Sequence, residues 1–178
     1  MLISNFEILV KPIAPAGPPG VARTVVQAYF LTISNLDPNS DVSLDIDFTA
    51  ITPDLSTNVI TFFDVIGSND PSALIPLPGG KKFRRTVTLP ACDTGLFLLQ
   101  PDIIINPALL TAANLEIRGY VEISVSPLSA IPAVQLLVTP EHRGTFIPQD
   151  LIPPPDLDFD QLAYALPIAG GKAIIALP

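Results

Sequence analysis

The chain has 178 residues, of which 48% are hydrophobic and 15% charged, and its net charge at pH 7 is −8. This length fits one domain, and the apolar content excludes an intrinsically disordered chain, which cannot offset the entropy of ordering. The negative charge argues against sequence-independent binding of nucleic acid, which requires clustered Lys and Arg. We therefore expect a single folded domain over residues 1–178 that does not bind nucleic acid.

Prolines and turn residues divide the chain into short segments, because Pro breaks helix interiors and is excluded from central strands. Most of these segments are rich in β-branched and aromatic residues, which favour strands. In chain order the predicted strands cover residues 3–10, 23–34, 41–49, 58–65, 82–89, 94–100, 115–125, 133–139, 144–147, 161–166 and 172–177. The turn signals between them include Asp37-Pro38-Asn39, Asn69-Asp70-Pro71, Pro78-Gly79-Gly80 and Gly170-Gly171. The glycines within residues 169–172 predict a tight hairpin between the last two strands.

Two of these segments show strict alternation. In residues 41–49 and 115–125 apolar residues recur at every second position, which is the pattern of a strand with one buried face. The acidic residues that we expect to face water on the first of them are Asp41, Asp45 and Asp47. Gly119 lies inside the second and indicates a bulge or the close approach of another backbone segment.

A cluster of basic residues lies at the start of the strand predicted over residues 82–89. Lys81, Lys82 and Arg84 are interpreted as solvated side chains there. The phase of the apolar residues places Arg85 on the inward face, where it pairs with a carboxylate or marks a frayed strand start.

One short helix is predicted after Asn106. Asn can cap a helix, Pro107 suits the first helical position, and residues 108–113 are good helix formers. Roughly eight to ten short strands separated by turns then predict an all-β fold, an antiparallel β-sandwich or jelly roll with this one short helix in a crossover.

Catalytic residues are sparse. His142 is the only histidine, its charged neighbours Glu141 and Arg143 suggest a loop, and no Gly-x-Ser-x-Gly motif supplies a nucleophile. Cys92 is the only cysteine, so it forms no intramolecular disulfide, and it follows Pro90 in a turn without a feature that suggests an activated thiol. We interpret Cys92 as a bystander thiol, with a Cys92–His142 pair as the open alternative, and expect no enzyme.

Metal and cofactor signals are also weak. One cysteine and one histidine do not build a structural zinc site, and the glycine-rich turns lack the context of a phosphate loop. Asp156, Asp158 and Asp160 share the spacing that opens a calcium loop, but Leu157 and Phe159 lie between them. Because the hinge glycine and distal glutamate of such a loop are missing, we favour a solvated strand edge, and predict no cofactor.

Targeting and membrane signals are not recognised in the sequence. The first ten residues lack a basic region and a cleavage site, and charges or prolines interrupt every apolar run before about 20 residues. We therefore expect no signal peptide and no membrane insertion. The default location is cytoplasmic or within an assembled particle.

The mean hydropathy of +0.49 is high for a chain of this size with so few charges. Uncovered apolar surface generally marks an interface. We therefore expect a non-enzymatic structural subunit that self-associates into a homo-oligomer, filament or shell. A head-to-tail contact between the basic cluster and an acidic stretch is one hypothesis for how copies meet; the acidic residues are Asp150, Asp156, Asp158 and Asp160.

The alternative function is a module that binds carbohydrate or another small ligand, whose candidate stacking groups are Tyr29, Tyr120 and Tyr164.

Overall fold

A computed structural model describes residues 1–13, 22–50, 55–148 and 160–178. The strands are β1 (Leu2–Pro12), β2 (Arg23–Asn35), β3 (Val42–Thr49), β4 (Val59–Val65), β5 (Ser68–Ser72), β6 (Ile75–Pro76), β7 (Lys82–Leu89), β8 (Thr94–Pro101), β9 (Leu115–Val125), β10 (Val134–Pro148), β11 (Asp160–Ala165) and β12 (Ile174–Leu177). The helices are α1 (Leu55–Asn58) and α2 (Ala108–Ala112), and a 3₁₀ turn covers Ala169–Gly171. The predicted all-β class is confirmed.

The strands pair antiparallel in the order β5-β4-β8-β2-β1-β9-β3-β7-β6, and this path forks at β2. One edge of β2 pairs with β1 along residues 24–27 and with β8 along residues 29–34, while β10 follows its other edge. Strands β5, β4, β8, β2 and β10 form what we call the first sheet, and β1, β9, β3, β7 and β6 form the second sheet. The far edge of β10 holds β12 and β11 end to end.

The core lies between the two sheets and is centred on four aromatic rings. Phe48 of the second sheet stacks on Phe97 of the first at 5.4 Å between ring centroids, and Phe6 meets Phe48 edge-on at 5.5 Å. Tyr29 is fully buried beside them and shares a hydrogen bond with the Ser4 hydroxyl at 3.0 Å. Burial raises the pKa of Tyr29 well above its usual value. The two sheets are therefore layers of one sandwich.

Both strands predicted from strict alternation are confirmed as β3 and β9. Gly119 marks a close approach, as predicted, because a Cβ atom there would overlap the carbonyl oxygen of Thr49 and lie 2.7 Å from the Phe6 ring. The glycine lets β9 sit against β3 and the aromatic core.

The division of β10 into two predicted strands, over residues 133–139 and 144–147, is wrong. Glu141 and Arg143 suggested a loop between them, yet β10 continues through these residues and through Pro140 and Gly144. Pro140 lies where the far edge of β10 passes from β12 to β11, so its missing N–H leaves no gap in either pairing.

The predicted hairpin at residues 169–172 is also wrong. β11 and β12 each pair with β10 and not with one another, because β10 is long enough to hold both. The 3₁₀ turn joins them, and Gly170 and Gly171 there adopt positive φ angles of 79° and 70°. The prediction that this turn uses glycines was correct, whereas the prediction that β11 and β12 pair with each other was wrong.

A further correction concerns the turn between β4 and β5. The predicted turn Asn69-Asp70-Pro71 lies within β5. The chain reverses at Ile66 and Gly67, whose φ angles of 58° and 70° are those of a type I′ hairpin.

The predicted helix is confirmed as α2, although its cap differs. Pro107 is the capping residue and forms no side-chain cap bond, and the backbone carbonyl of Asn106 accepts from Leu109 at 3.2 Å. Ala113 ends the helix in the left-handed conformation.

Candidate interaction surface

The outer face of the first sheet and of the adjoining β12 carries apolar side chains on several neighbouring strands, with the polar Thr32, Ser34 and Thr139 between Leu96 and Leu137. Its outward side chains come from alternate positions on neighbouring strands and remain half-exposed or exposed. We call this surface the apolar face and define it by Phe30, Ile60, Phe62, Leu96, Leu98, Leu137 and Ile174.

The strand registers align the apolar face into rows. Leu98 lies opposite Phe62 on one side and Phe30 on the other. Leu137 lies opposite Ile174, and these two side chains are 38% and 57% exposed. With strands about 4.8 Å apart and outward residues about 7 Å apart along each, the seven residues cover on the order of 240 Å². Apolar side chains grouped in a row, unlike ones scattered singly, are candidates for an interaction site.

Charge on this side of the sheet is sparse and mostly paired. The Arg143 guanidinium donates to Glu141 Oε2 through Nε at 3.0 Å and Nη2 at 2.8 Å, and lies 4.3 Å from the centroid of the Phe30 ring. Asp64 on β4 is exposed. The apolar face therefore carries one internal ion pair at its β10 side and a carboxylate at its β4 side.

A pocket of about 520 Å³ opens where β1 and β8 diverge along β2. Phe30 and Ile103 supply apolar walls, while Gln100, Gln161 and Arg143 supply amide and guanidinium groups. A site with an aromatic wall and a few convergent polar groups suits a small ligand.

The outer face of the second sheet has the opposite chemistry. Arg84 on β7 donates to Asp47 through Nε at 2.7 Å and Nη2 at 2.8 Å, and its Nη1 lies 2.7 Å from Asp45 Oδ2. Thr86 donates to Asp45 Oδ1 at 2.7 Å. The Asp47 hydrogen bond is the main cause that raises the pKa of Arg84. We call this surface the charged face.

The expectation that Asp45 and Asp47 face water is wrong, although Asp41 is exposed as expected. Their exposed fractions are 2% and 6%. The cause is Arg84, whose long side chain lies across both carboxylates and covers them while neutralising them.

Further ion pairs continue along the charged face. Lys82 donates to Glu122 at 2.5 Å, and this hydrogen bond raises the pKa of Lys82. Arg118 pairs with Glu7 at 2.6 Å and also with Glu116. Lys82 and Arg84 are therefore engaged within the chain, and the interpretation of both as merely solvated is wrong. The acidic residues of the hypothesised head-to-tail contact, Asp160 excepted, lie outside the described residues.

Arg85 follows the inward prediction. It is 5% exposed, donates to the Thr61 hydroxyl at 2.9 Å, and pairs with the Asp70 carboxylate at 2.9 Å. Its pKa is lowered by burial, an effect that Asp70 opposes. Since Arg85 lies on β7 and Asp70 on β5, the pair joins the two sheets at one end of the sandwich.

His142 lies within β10 and not in the predicted loop, and it is 5% exposed. Its Nε2 accepts the Glu7 backbone N–H at 2.9 Å, so the neutral ring carries its proton on Nδ1 and donates to Tyr164 Oη at 3.0 Å. Burial lowers the pKa of His142, and Glu7 opposes this. Both ring nitrogens are occupied, so His142 is a structural link between β1, β10 and β11.

Cys92 is exposed in the turn before β8, at a φ of 57°. The hydrogen-bond partners of His142 are Glu7 and Tyr164, so the structure does not bring the two residues of the hypothesised Cys92–His142 pair together.

The remaining candidates for ligand binding are dispersed. Tyr29 is buried and offers no stacking surface, whereas Tyr120 and Tyr164 are 40% and 44% exposed. Asp156 and Asp158 lie outside the described residues, and Asp160 begins β11 with an exposed side chain. Within residues 1–13, 22–50, 55–148 and 160–178, no three acidic, histidine or cysteine side chains converge to hold a metal ion. No helix in these ranges has the length and apolar content to span a membrane.

The sequence did contain a signal for the apolar face. Residues 59–63 and 96–99 are continuous runs of mainly apolar residues, unlike the alternating strands β3 and β9. A continuous run is typical of a strand that is covered on both faces. In the single chain, β4 and β8 have only one covered face.

No protein-family model matches the chain, and no curated protein matches it in sequence.

Proposed function

We propose that this protein is a non-enzymatic structural subunit that self-associates through the apolar face. The observation that supports this most directly is the contrast between the two outer faces of one sandwich. The charged face satisfies its polar groups within the chain, whereas the apolar face leaves Phe62, Leu98 and Phe30 half-exposed in one row.

A second copy of the chain is the partner that fits this surface. Two sheets pack face to face about 10 Å apart when their apolar side chains interdigitate, and a two-fold contact uses the same residues from both copies. The charges at the β10 side of the face, Glu141 and Arg143, already neutralise each other, so that pair needs no counter-charge from the partner.

Light scattering on a size-exclusion column tests the proposal. The wild type should have a mass of at least two chains of 18.9 kDa, and Leu98→Lys should lower it because a charge would be buried in the middle of the contact. Thr88→Lys is the matched control, since Thr88 is exposed on the charged face. The proposal fails if the wild type stays at 18.9 kDa at every concentration, or if a folded Leu98→Lys protein assembles like the wild type.

A ligand-binding module is the second candidate, and the pocket beside Phe30 favours it. Its polar groups, Gln100, Gln161 and Arg143, are of the kinds that hydrogen-bond sugar hydroxyls or a carboxylate. A glycan array probed with the wild type and with Gln161→Ala tests it. Saturable binding that Gln161→Ala weakens supports the module, and no binding to any glycan contradicts a carbohydrate ligand.

A further inference from the structure

The strands at the ends of the sheet differ in how well their edges are protected. β5 contains Pro71 and the inward charge of Asp70, β6 has two residues and includes Pro76, and β12 has only four residues. Prolines, charges and short length are the usual devices that prevent one sheet edge from pairing with another.

β11 lacks these devices. It has six residues, all exposed, and after Asp160 its sequence is Gln-Leu-Ala-Tyr-Ala, without charge or proline. Among the described residues β11 pairs with β10 alone. Its other edge therefore presents a row of backbone donors and acceptors that nothing in the described part of the chain uses.

The directions of these backbone groups follow from one bond at the end of the strand. The Leu166 N–H donates to the Pro140 carbonyl on β10 at 2.8 Å. Backbone groups alternate in direction along a strand, so the N–H groups of Leu162 and Tyr164 also point to β10. Those of Gln161, Ala163 and Ala165 point to the open edge.

We propose that β11 pairs antiparallel with β11 of a second copy, about a two-fold axis that passes through Ala163 perpendicular to the sheet. This inference rests on the proposed self-association and names a second interface for it. A register centred on Ala163 is selected because it gives a partner to every outward N–H and C=O of Gln161, Ala163 and Ala165. Centring the pair on Leu162 or Tyr164 leaves some of these groups unpaired.

The side chains agree with this register. It sets Leu162 opposite the partner's Tyr164, an aliphatic–aromatic cross-strand pair that occurs twice by symmetry. Both side chains are largely exposed in the single chain, at 53% and 44%. The hydrogen bond from His142 to the Tyr164 hydroxyl fixes this ring before the partner arrives.

The axis also determines how the copies are arranged. A two-fold axis perpendicular to a sheet keeps the same side of both copies facing the same way. The apolar faces of the two copies then lie side by side as one surface, and this surface is free to pack on another pair.

A thiol placed at position 163 tests the axis directly. In the proposed register the two Ala163 Cα atoms form a hydrogen-bonded pair about 5.5 Å apart, within reach of a short bis-maleimide cross-linker. In a Cys92→Ser background, Ala163→Cys should yield a covalent dimer with this cross-linker. Thr88→Cys in the same background is the matched control, because Thr88 is exposed on the charged face, and it should remain monomeric on a non-reducing gel.

Ala163→Pro gives an independent measurement. Proline removes an N–H that points to the open edge and none that pairs with β10, so it should halve the solution mass, while Ala163→Ser should leave it unchanged. Failure of Ala163→Cys to cross-link overturns the inference whether or not Ala163→Pro folds.

The outcomes separate this inference from the proposed function. A wild type that associates, with an Ala163→Cys protein that does not cross-link, overturns β11 pairing and leaves self-association through the apolar face intact. A wild type of single-chain mass at all concentrations overturns both. Cross-linking of Ala163→Cys but not of Thr88→Cys supports the edge contact even if Leu98→Lys does not change the mass.

Discussion

The two outer faces of this sandwich arise from the same alternation of side chains and have opposite chemistry. On the charged face, β3 and β7 place Asp45, Asp47 and Arg84 where each neutralises another within one chain. On the apolar face, β4 and β8 place Phe62 and Leu98 opposite each other with half-exposed side chains. The difference teaches that pairing within the chain accounts for Asp45, Asp47 and Arg84, whereas Phe62 and Leu98 stay half-exposed in the described part of the chain.

The largest effect is expected from breaking the charged face. Arg84→Ala removes the cation that covers both carboxylates and leaves Asp45 with Thr86 and Asp47 with Lys82 at 3.8 Å, and removing one partner of a buried ion pair costs about 3–5 kcal/mol. Because the Arg84 side chain is partly exposed, we expect the lower end of this range. Urea denaturation of the variant against the wild type measures the loss.

Arg143→Ala is the matched change on the apolar side. Its pair with Glu141 is exposed, so its loss should cost less than about 1 kcal/mol. Equal losses for Arg84→Ala and Arg143→Ala would contradict the distinction between an internally satisfied face and an open one.

A second comparison uses one glycine from each sheet. Gly119→Ala pushes a methyl group into the Thr49 carbonyl and the Phe6 ring, and overpacking of this kind typically costs about 1–3 kcal/mol. Gly144→Ala meets nothing closer than 3.5 Å and should change the unfolding free energy by less than about 0.5 kcal/mol. Thermal unfolding of both variants measures the two losses of stability. A Gly144→Ala protein as unstable as Gly119→Ala would contradict the closer packing around Gly119.

Because His142 is buried and is the only histidine of the chain, it predicts how the free energy of unfolding depends on pH near neutrality. Burial lowers the pKa of His142 in the folded chain, so the unfolded chain binds the proton more readily. Stability should therefore be full above the unfolded pKa of about 6.5 and decrease as pH falls below it, levelling off below the folded pKa. Denaturation curves between pH 8 and pH 5 should show this decrease for the wild type and a smaller one for His142→Gln.

The smallest effect concerns exposed charges. Arg118 is 66% exposed, so Arg118→Ala should cost about 0.5 kcal/mol or less, and added salt should reduce even this cost. The same salt should strengthen self-association, since it screens the net charge of −8 without weakening apolar contact. Sedimentation velocity at low and high salt measures this, and dissociation at high salt would indicate that charge pairing holds the copies together.

The features of the fold that depend on local periodicity could be predicted from the sequence. Strict alternation identified β3 and β9, and the phase of β7 placed Arg85 inward correctly. It did not predict the burial of Asp45 and Asp47, because this depends on the register that sets Arg84 opposite Asp47 on a distant strand. The long strand β10 was missed for a similar reason, since Pro140 appears as a break until its position between β12 and β11 is known.

The central claim is that copies of this chain cover the apolar face and leave the charged face in water. Hydroxyl-radical footprinting over a range of protein concentrations tests it, with Phe30 and Phe62 reporting on one face and the exposed Tyr120 on the other. Oxidation of both phenylalanines should decrease as concentration rises, while that of Tyr120 stays constant. Constant oxidation of the phenylalanines, or a decrease confined to Tyr120, would contradict the account.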